Sequence, residues 1–192
     1  MARRRSMAPL GFLMAIALTL ASTACAQVFQ ENRLIANYLS GFGDFVRWEG
    51  VGATGQLPQT IAVLGNPSLL QELRDLSRRE SENGAPQEII ATEWSLGQSL
   101  EGVGFLYIGA GYADRMQEIL VEAKRSSTIT VSSKPKFIEA GGLIQFLHVR
   151  NRLRFALNVD QSSEYGVHFS SKLIQISAPV PRSRVVGKGG RQ

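Results

Sequence analysis

The chain has 192 residues, 44% of them hydrophobic and 19% charged, a balance that suits one globular domain of moderate size. Its formal charge of +5 would suit a polyanion binder, but three of those charges (Arg3, Arg4 and Arg5) sit at the start, and without them the total is +2. Setting aside the four cations of the tail as well (Arg182, Arg184, Lys188 and Arg191) leaves −2 on residues 27–178, a body that excludes nucleic acid as its partner.

Residues 1–26 read as a secretory leader, because the arginines precede an apolar run from Leu10 to Leu20 and small residues lead to Ala24-Cys25-Ala26. That run is shorter than the roughly 20 residues needed to span a bilayer, and no later stretch is long enough, so an exported, soluble chain is expected. Cleavage after Ala26 removes Cys25, the one cysteine. The alternative is acylation of Cys25 as a lipoprotein, against which Ser22 stands where such leaders carry leucine. Neither route leaves a pair of thiols for a disulfide, although the compartment would allow one.

Along the body, residues 27–180, Ile35, Tyr38, Phe42 and Phe45 recur at spacings of three and four and predict an amphipathic helix. Gly41 and Gly43 should end it, since each costs on the order of 1 kcal/mol relative to alanine in a helix. The segment 50–59 reads as a loop. "TIAVLG" predicts a strand, and Asn66-Pro67 a helix start, with the asparagine side chain as cap and proline where its missing N–H does no harm. Leu69, Leu70, Leu73 and Leu76 then form a buried stripe that ends near Gly84. The alternation continues: "EIIAT" and "GFLYIG" read as strands, "YADRMQEILVEAKR" as a helix burying Met116, Ile119, Leu120 and Ala123, and "TITVS" as a strand. This pattern predicts an α/β layered fold with a mostly parallel central sheet and flanking helices.

Residues 137–158, "FIEAGGLIQFLHVRNRLRFALN", break the alternation, because two strands follow each other with only a turn between. A two-residue hairpin turn at Arg150-Asn151 pairs 149 with 152, 148 with 153, 146 with 155 and 144 with 157. One face then carries Ile144, Phe146, His148, Leu153, Phe155 and Leu157, and the other Gln145, Leu147, Val149, Arg152, Arg154 and Ala156. A slip of one residue would scramble both faces. Gly141-Gly142 precede the hairpin because the chain must bend there with backbone angles, or a closeness of approach, that a side chain forbids. Beyond it, Asp160 reads as the cap of a short helix ending at Gly166, and Phe169, Leu173 and Ile176 as one face of a last helix. The tail, 181–192, reads as disordered, with contact to anionic headgroups as the alternative.

The set Phe137, Gly141-Gly142, Ile144-x-Phe146, Asn151-Arg152-Leu153-Arg154-Phe155, Asn158 and Gly166-Val167-x-Phe169-Ser170-Ser171-Lys172-Leu173-Ile174 resembles the C-terminal signature of the YfiR-like (YfiR/HmsC) periplasmic proteins. The early "NYLSGFGDFVRW" and "IAVLG" are similar to that family's N-terminal part, so the resemblance spans most of 28–180. It implies a non-enzymatic periplasmic regulator without a cofactor, as a homodimer, whose partner is the periplasmic region of an inner-membrane diguanylate cyclase or sensor protein. Such a regulator represses the cyclase and so lowers cyclic-di-GMP and biofilm formation. A redox switch does not carry over, because family members often have cysteine pairs and this chain has Cys25 alone.

Catalytic patterns are thin. His148 and His168 are the only histidines, and neither has the spacing of a metal motif. Ser133-x-x-Lys136 matches a nucleophile motif but holds Pro135 and lacks the partner motifs. Gly109-Ala110-Gly111 between strand and helix is followed by Asp114 where a dinucleotide fingerprint needs glycine. What remains is binding. Arg152 and Arg154 can fork onto a carboxylate of a partner, with a solvated sheet face as the plain alternative. Trp48 is a contact candidate where the first helix dissolves, with core as its alternative. Ser170, Ser171 and Lys172 either start the last helix or line a pocket beside the hairpin. A competing function is a small-ligand-binding accessory of a histidine kinase or an outer-membrane uptake system. A hydrolase is the third and weakest.

Overall fold

The computed structural model describes residues 30–50, 60–84 and 89–180, so the leader with Cys25, most of the 50–59 loop and the basic tail lie outside the described residues. The chain enters as helix α1 over 30–42, burying Ile35, Leu39 and Phe42 with Tyr38 packed at the margin. At the glycines it tightens into one 3₁₀ turn, Gly43–Phe45, and then extends as strand β1, Val46–Trp48. Phe45, the last member of the predicted helix stripe, therefore lies in the 3₁₀ turn and not in the helix.

Strand β2 (Thr60–Leu64) leads into α2 (Pro67–Glu82), where Asn66 Oδ1 accepts from the Leu69 N–H at 3.0 Å and Pro67 takes the first turn, as the Asn-Pro pair predicts. Next come β3 (Ile90–Glu93), β4 (Phe105–Ile108), a 3₁₀ turn (Ala110–Arg115), α3 (Met116–Arg125) and β5 (Ile129–Ser132). Helix α3 buries Met116, Ile119, Leu120 and Ala123, the stripe read from the sequence. The hairpin is β6 (Ile144–Val149) and β7 (Arg152–Leu157), and it is followed by α4 (Val159–Ser162), a 3₁₀ turn (Ser163–Tyr165), β8 (Val167–Phe169) and α5 (Ser171–Ile176).

Six strands form the main sheet in the order β3-β2-β4-β5-β6-β7, parallel throughout except for the antiparallel β6–β7 pair. Central strands β4 and β5 are buried along their whole length, because a parallel sheet covered on both faces leaves no side for water. A second sheet of two strands pairs β1 antiparallel with β8, setting Val46 opposite Phe169 and Trp48 opposite Val167.

The hairpin adopts the predicted register, with Ile144 opposite Leu157, Phe146 opposite Phe155 and Val149 opposite Arg152. Arg150 (φ 50°) and Asn151 (φ 61°) both lie in the left-handed region, as a primed two-residue turn demands. Helix α1 covers the apolar face: Phe42 meets Phe155 edge-on at 5.0 Å between ring centroids and Phe146 at 6.2 Å, while Tyr38 lies 5.5 Å from Phe155. The opposite face is not simply wet. Gln145 and Ala156 are buried there too, and Gln145 Oε1 accepts from the Ile138 N–H at 3.2 Å.

The paired glycines divide their task. Gly141 has φ 102°, a conformation side chains rarely adopt. A Cβ on Gly142 would lie 2.2 Å from the buried Phe137 ring. Asn158 locks the same corner, its Nδ2 donating to the Gly142 carbonyl at 3.2 Å while its Oδ1 accepts from the Gln161 N–H. Asn158, not Asp160, therefore caps the short helix, because its position just before the first turn puts the amide oxygen over a free N–H. The last helix is also shorter than its spacing suggests. Phe169 is on β8, Ser170 Oγ caps α5 by accepting from Leu173 N–H, and Ile176 is 55% exposed. Pairing of 167–169 with β1 draws that segment out of the helix.

Replacing Gly142 with alanine should lower stability by about 1–3 kcal/mol, read as a drop in the urea midpoint, because the enclosed Phe137 ring cannot swing aside. Tyr165 gives a pH test. Burial pushes its hydroxyl up to about 12, so the neutral form is favoured in the folded chain. A raised pKa contributes stability that is whole below about 10, the ordinary tyrosine value, and is lost as pH rises toward 12. Tyr165→Phe should therefore flatten the alkaline fall in the melting temperature.

Candidate functional site

The tip of the hairpin leaves the core. Past Phe146 and Phe155, His148, Val149, Arg150, Arg152 and Arg154 are exposed, and Val149, Arg152 and Arg154 are on the sheet face opposite α1. Val149, Arg152 and Arg154 share one face by register, and Ser177-Ala178-Pro179 passes beside it after α5. Together with Arg150 these residues line an open groove of about 570 Å³. Arg154 Nη2 donates to the Ile176 carbonyl at 3.1 Å, which holds the guanidinium along the groove rim. None of the three arginines is in an ion pair with a described residue. An exposed apolar group shares their groove: Val149 is 40% exposed. The groove thus offers guanidinium forks, which match planar carboxylates in pairs of hydrogen bonds, beside apolar surface.

A second groove, of about 580 Å³, runs between α3 and the loop after β3, lined by Trp94, Leu96, Gln98, Gln117 and Val121 among others. Its charges are already matched. Arg115 hydrogen-bonds Glu118 and holds that carboxyl below its ordinary value, and Arg125 does the same to Glu122. Such exposed i,i+3 pairs contribute little to stability, but they leave no charge seeking a partner. The hairpin groove differs in that its cations have no acidic partner among the described residues.

Of the residues singled out from the sequence, Arg152 and Arg154 lie on one face of the hairpin tip and line the groove. Trp48 is not exposed. It is 4% accessible, its Nε1 donates to the Ser127 carbonyl at 2.9 Å, and its ring meets Phe105 edge-on, so the contact reading gives way to the core one. The cause is β1: pairing with β8 turns Trp48 inward, whereas a fraying helix end would have left it in water. Ser170 is the α5 cap, and Ser171 and Lys172 are exposed on its first turn without lining the hairpin groove. Gly141, Gly142, Phe146, Asn151, Phe155 and Asn158 act in the corner and core described above.

The other sequence candidates separate. His148 Nε2 lies 3.9 Å from a Glu31 carboxylate oxygen, and His168 Nε2 lies 2.6 Å from Glu49 Oε1, so each histidine has one carboxylate beside it in a different part of the molecule. Among the described residues no three histidine, cysteine or carboxylate side chains gather as a metal site. Ser133 Oγ meets the Tyr107 hydroxyl at 3.2 Å, while Lys136 is exposed in a turn. Gly109 is a packing glycine, since a Cβ there would sit 2.6 Å from the Gly65 carbonyl oxygen. What the sequence reading missed is the part played by Val149, Arg150 and Ser177–Pro179. Register alone places Val149 beside Arg152, but nothing local signals that the chain returns to that strand after α5.

Three comparisons bear on this arrangement. The sequence model of a family described as YfiR/HmsC-like matches residues 32–178. No curated protein matches the chain. A solved structure described as a conserved domain protein from Vibrio cholerae O1 biovar El Tor strain N16961 aligns with 12% identity and a TM-score of 0.43, covering 63% of this chain and 54% of that one. The chain thus spans about half the length of that structure. Among the described residues no helix is long and apolar enough to cross a membrane.

Trp48→Ala should cost about 3–5 kcal/mol of stability, as expected for emptying an aromatic core site. Trp48→Phe should lose less, about 1–3 kcal/mol, from the missing bond to Ser127 and the smaller ring together. Denaturant titration checks both, and a Trp48→Ala protein as stable as the parent would contradict the burial.

Proposed function

Because the chain belongs to the YfiR/HmsC-like family, whose members are periplasmic regulators of diguanylate cyclases, we propose that it binds the periplasmic sensor region of an inner-membrane diguanylate cyclase and represses it, lowering cyclic-di-GMP and biofilm formation. The observation that carries the reading is the groove at the hairpin tip, where three arginines without an acidic partner among the described residues stand beside exposed Val149. Arginine is favoured at protein interfaces because its planar fork loses little freedom per hydrogen bond made, and the neighbouring apolar groups supply burial. Repression follows from differential affinity. A regulator that grips the inactive arrangement of the enzyme more tightly than the active one shifts its population by that difference, typically about 1–3 kcal/mol for coupled sites.

Export to the periplasm through a cleaved leader and action as a homodimer are parts of the same proposal. The leader rests on residues 1–26, and the homodimer on the family resemblance. The partner-binding role falls to Arg152 and Arg154 within the groove. Lys172, exposed on α5, is a secondary candidate.

Deletion of the gene should raise cyclic-di-GMP and biofilm mass, and the wild-type gene should restore both. The Arg152→Glu/Arg154→Glu variant should fold normally and fail to restore them. Unchanged cyclic-di-GMP in the deletion strain overturns the proposal.

A further inference from the structure

The outer strand of the main sheet offers its backbone as well as its arginines. In an antiparallel pair closed by a two-residue turn, the residues flanking the turn form a hydrogen-bonded pair, and such pairs then alternate. Val149 with Arg152, Leu147 with Arg154 and Gln145 with Ala156 therefore exchange their bonds inside the hairpin, while Leu153, Phe155 and Leu157 turn their N–H and C=O groups away from β6. The chain itself confirms this direction. The Ala178 N–H donates to the outward Phe155 carbonyl at 2.7 Å, and Ala178 pairs in parallel with Ala156.

That one bridge covers only the inner half of the strand. Nearer the tip, the N–H and C=O of Leu153 and the N–H of Phe155 have no partner among the described residues. This open stretch is the kind of edge that pairs with an extended chain unless it is blocked. It is not blocked by proline or by a bulge. Its guards are Arg152 and Arg154, both exposed on one face of the sheet, with Arg150 at the turn.

Those charges select the occupant. In a second copy of this chain, pairing β7 against β7 about Leu153 would set Arg152 opposite Arg154 at both ends of the contact, and like charges opposite one another destabilise a strand pair. A strand with acidic side chains at every second position would place them on the arginine face, where each carboxylate can take a guanidinium fork. Its intervening side chains would lie on the other face, next to half-buried Leu153.

We propose that the open edge of β7 captures an extended, acidic segment of the protein partner by strand addition, with Leu153 and Phe155 supplying the backbone bonds and Arg150, Arg152 and Arg154 the charge selection. The inference deepens the partner-binding reading above and rests on it. Strand addition draws affinity from main-chain bonds and specificity from alternate side chains, so the two contributions can be removed one at a time.

The test uses the folded protein and blocked ten-residue peptides, with binding read by fluorescence anisotropy. A peptide alternating glutamate and valine should bind at micromolar concentration in low salt, about tenfold or more tighter than its lysine-for-glutamate counterpart. N-methylation at every second residue keeps the charge and removes the N–H groups that face the edge, and it should weaken binding by about tenfold or more. Arg152→Glu/Arg154→Glu should weaken the parent peptide similarly, with a melting temperature near that of the wild type. Equal binding of the N-methylated and parent peptides overturns strand addition, and so does the absence of peptide binding. Arginine-dependent binding to phosphatidylglycerol vesicles with none to the peptide overturns it in favour of a lipid surface. Any of these failures beside a deletion strain with raised cyclic-di-GMP would discard the strand-addition mechanism and leave the regulatory role standing.

Discussion

The packing of α1 across the apolar face of the hairpin is the contact on which the rest of the molecule depends. Tyr38 and Phe42 on the helix meet Phe146 and Phe155 on the strands, joining the first described element to the last two strands of the main sheet. Aromatic pairs of this kind add to the area they bury by preferring tilted and edge-on approaches, and three of the four rings are buried. The contact closes a long loop of chain, at an entropic cost that only a large apolar surface offsets. Once formed, it fixes which hairpin face is inside, and with that which face carries Arg152 and Arg154 outward.

The corner before the hairpin serves the same end by other means. A left-handed glycine turns the chain, a second glycine lets it pass against Phe137, and Asn158 ties the returning strand to the carbonyls of Ile138 and Gly142. The tip of β6 and β7 stands in solvent, and its residues are free to serve binding instead of packing. The groove lies between that exposed tip and Ser177–Pro179, which return to the outer strand.

Much of this was legible in local pattern. The Asn66-Pro67 start, the α3 stripe and the hairpin register each rest on interactions between residues close in sequence, and each stands in the structure as the spacing predicts. The cap of the short helix departs for a local reason, Asn158 and not Asp160 lying just before the first turn, whereas the larger departures have a distant cause. Trp48 turns inward and Phe169 leaves its helix because β1 pairs with β8, strands separated by most of the chain. Three-residue strands leave almost no periodicity to read, and their pairing adds hydrogen bonds that helix propensity cannot match once the partner is in place.

The chain's own order of residues therefore determined the α/β alternation, the face and register of the hairpin and the family to which the protein belongs, since these follow from side-chain periods of two and 3.6 and from turn residues that tolerate positive φ. Only the tertiary structure decided the order of strands, the burial of Trp48 and the meeting of Val149, the three arginines and Ser177–Pro179 in one groove. The physical reason is that periodicity records which side of an element is buried, whereas neighbours across a sheet edge are chosen by packing and backbone pairing between segments far apart in the chain.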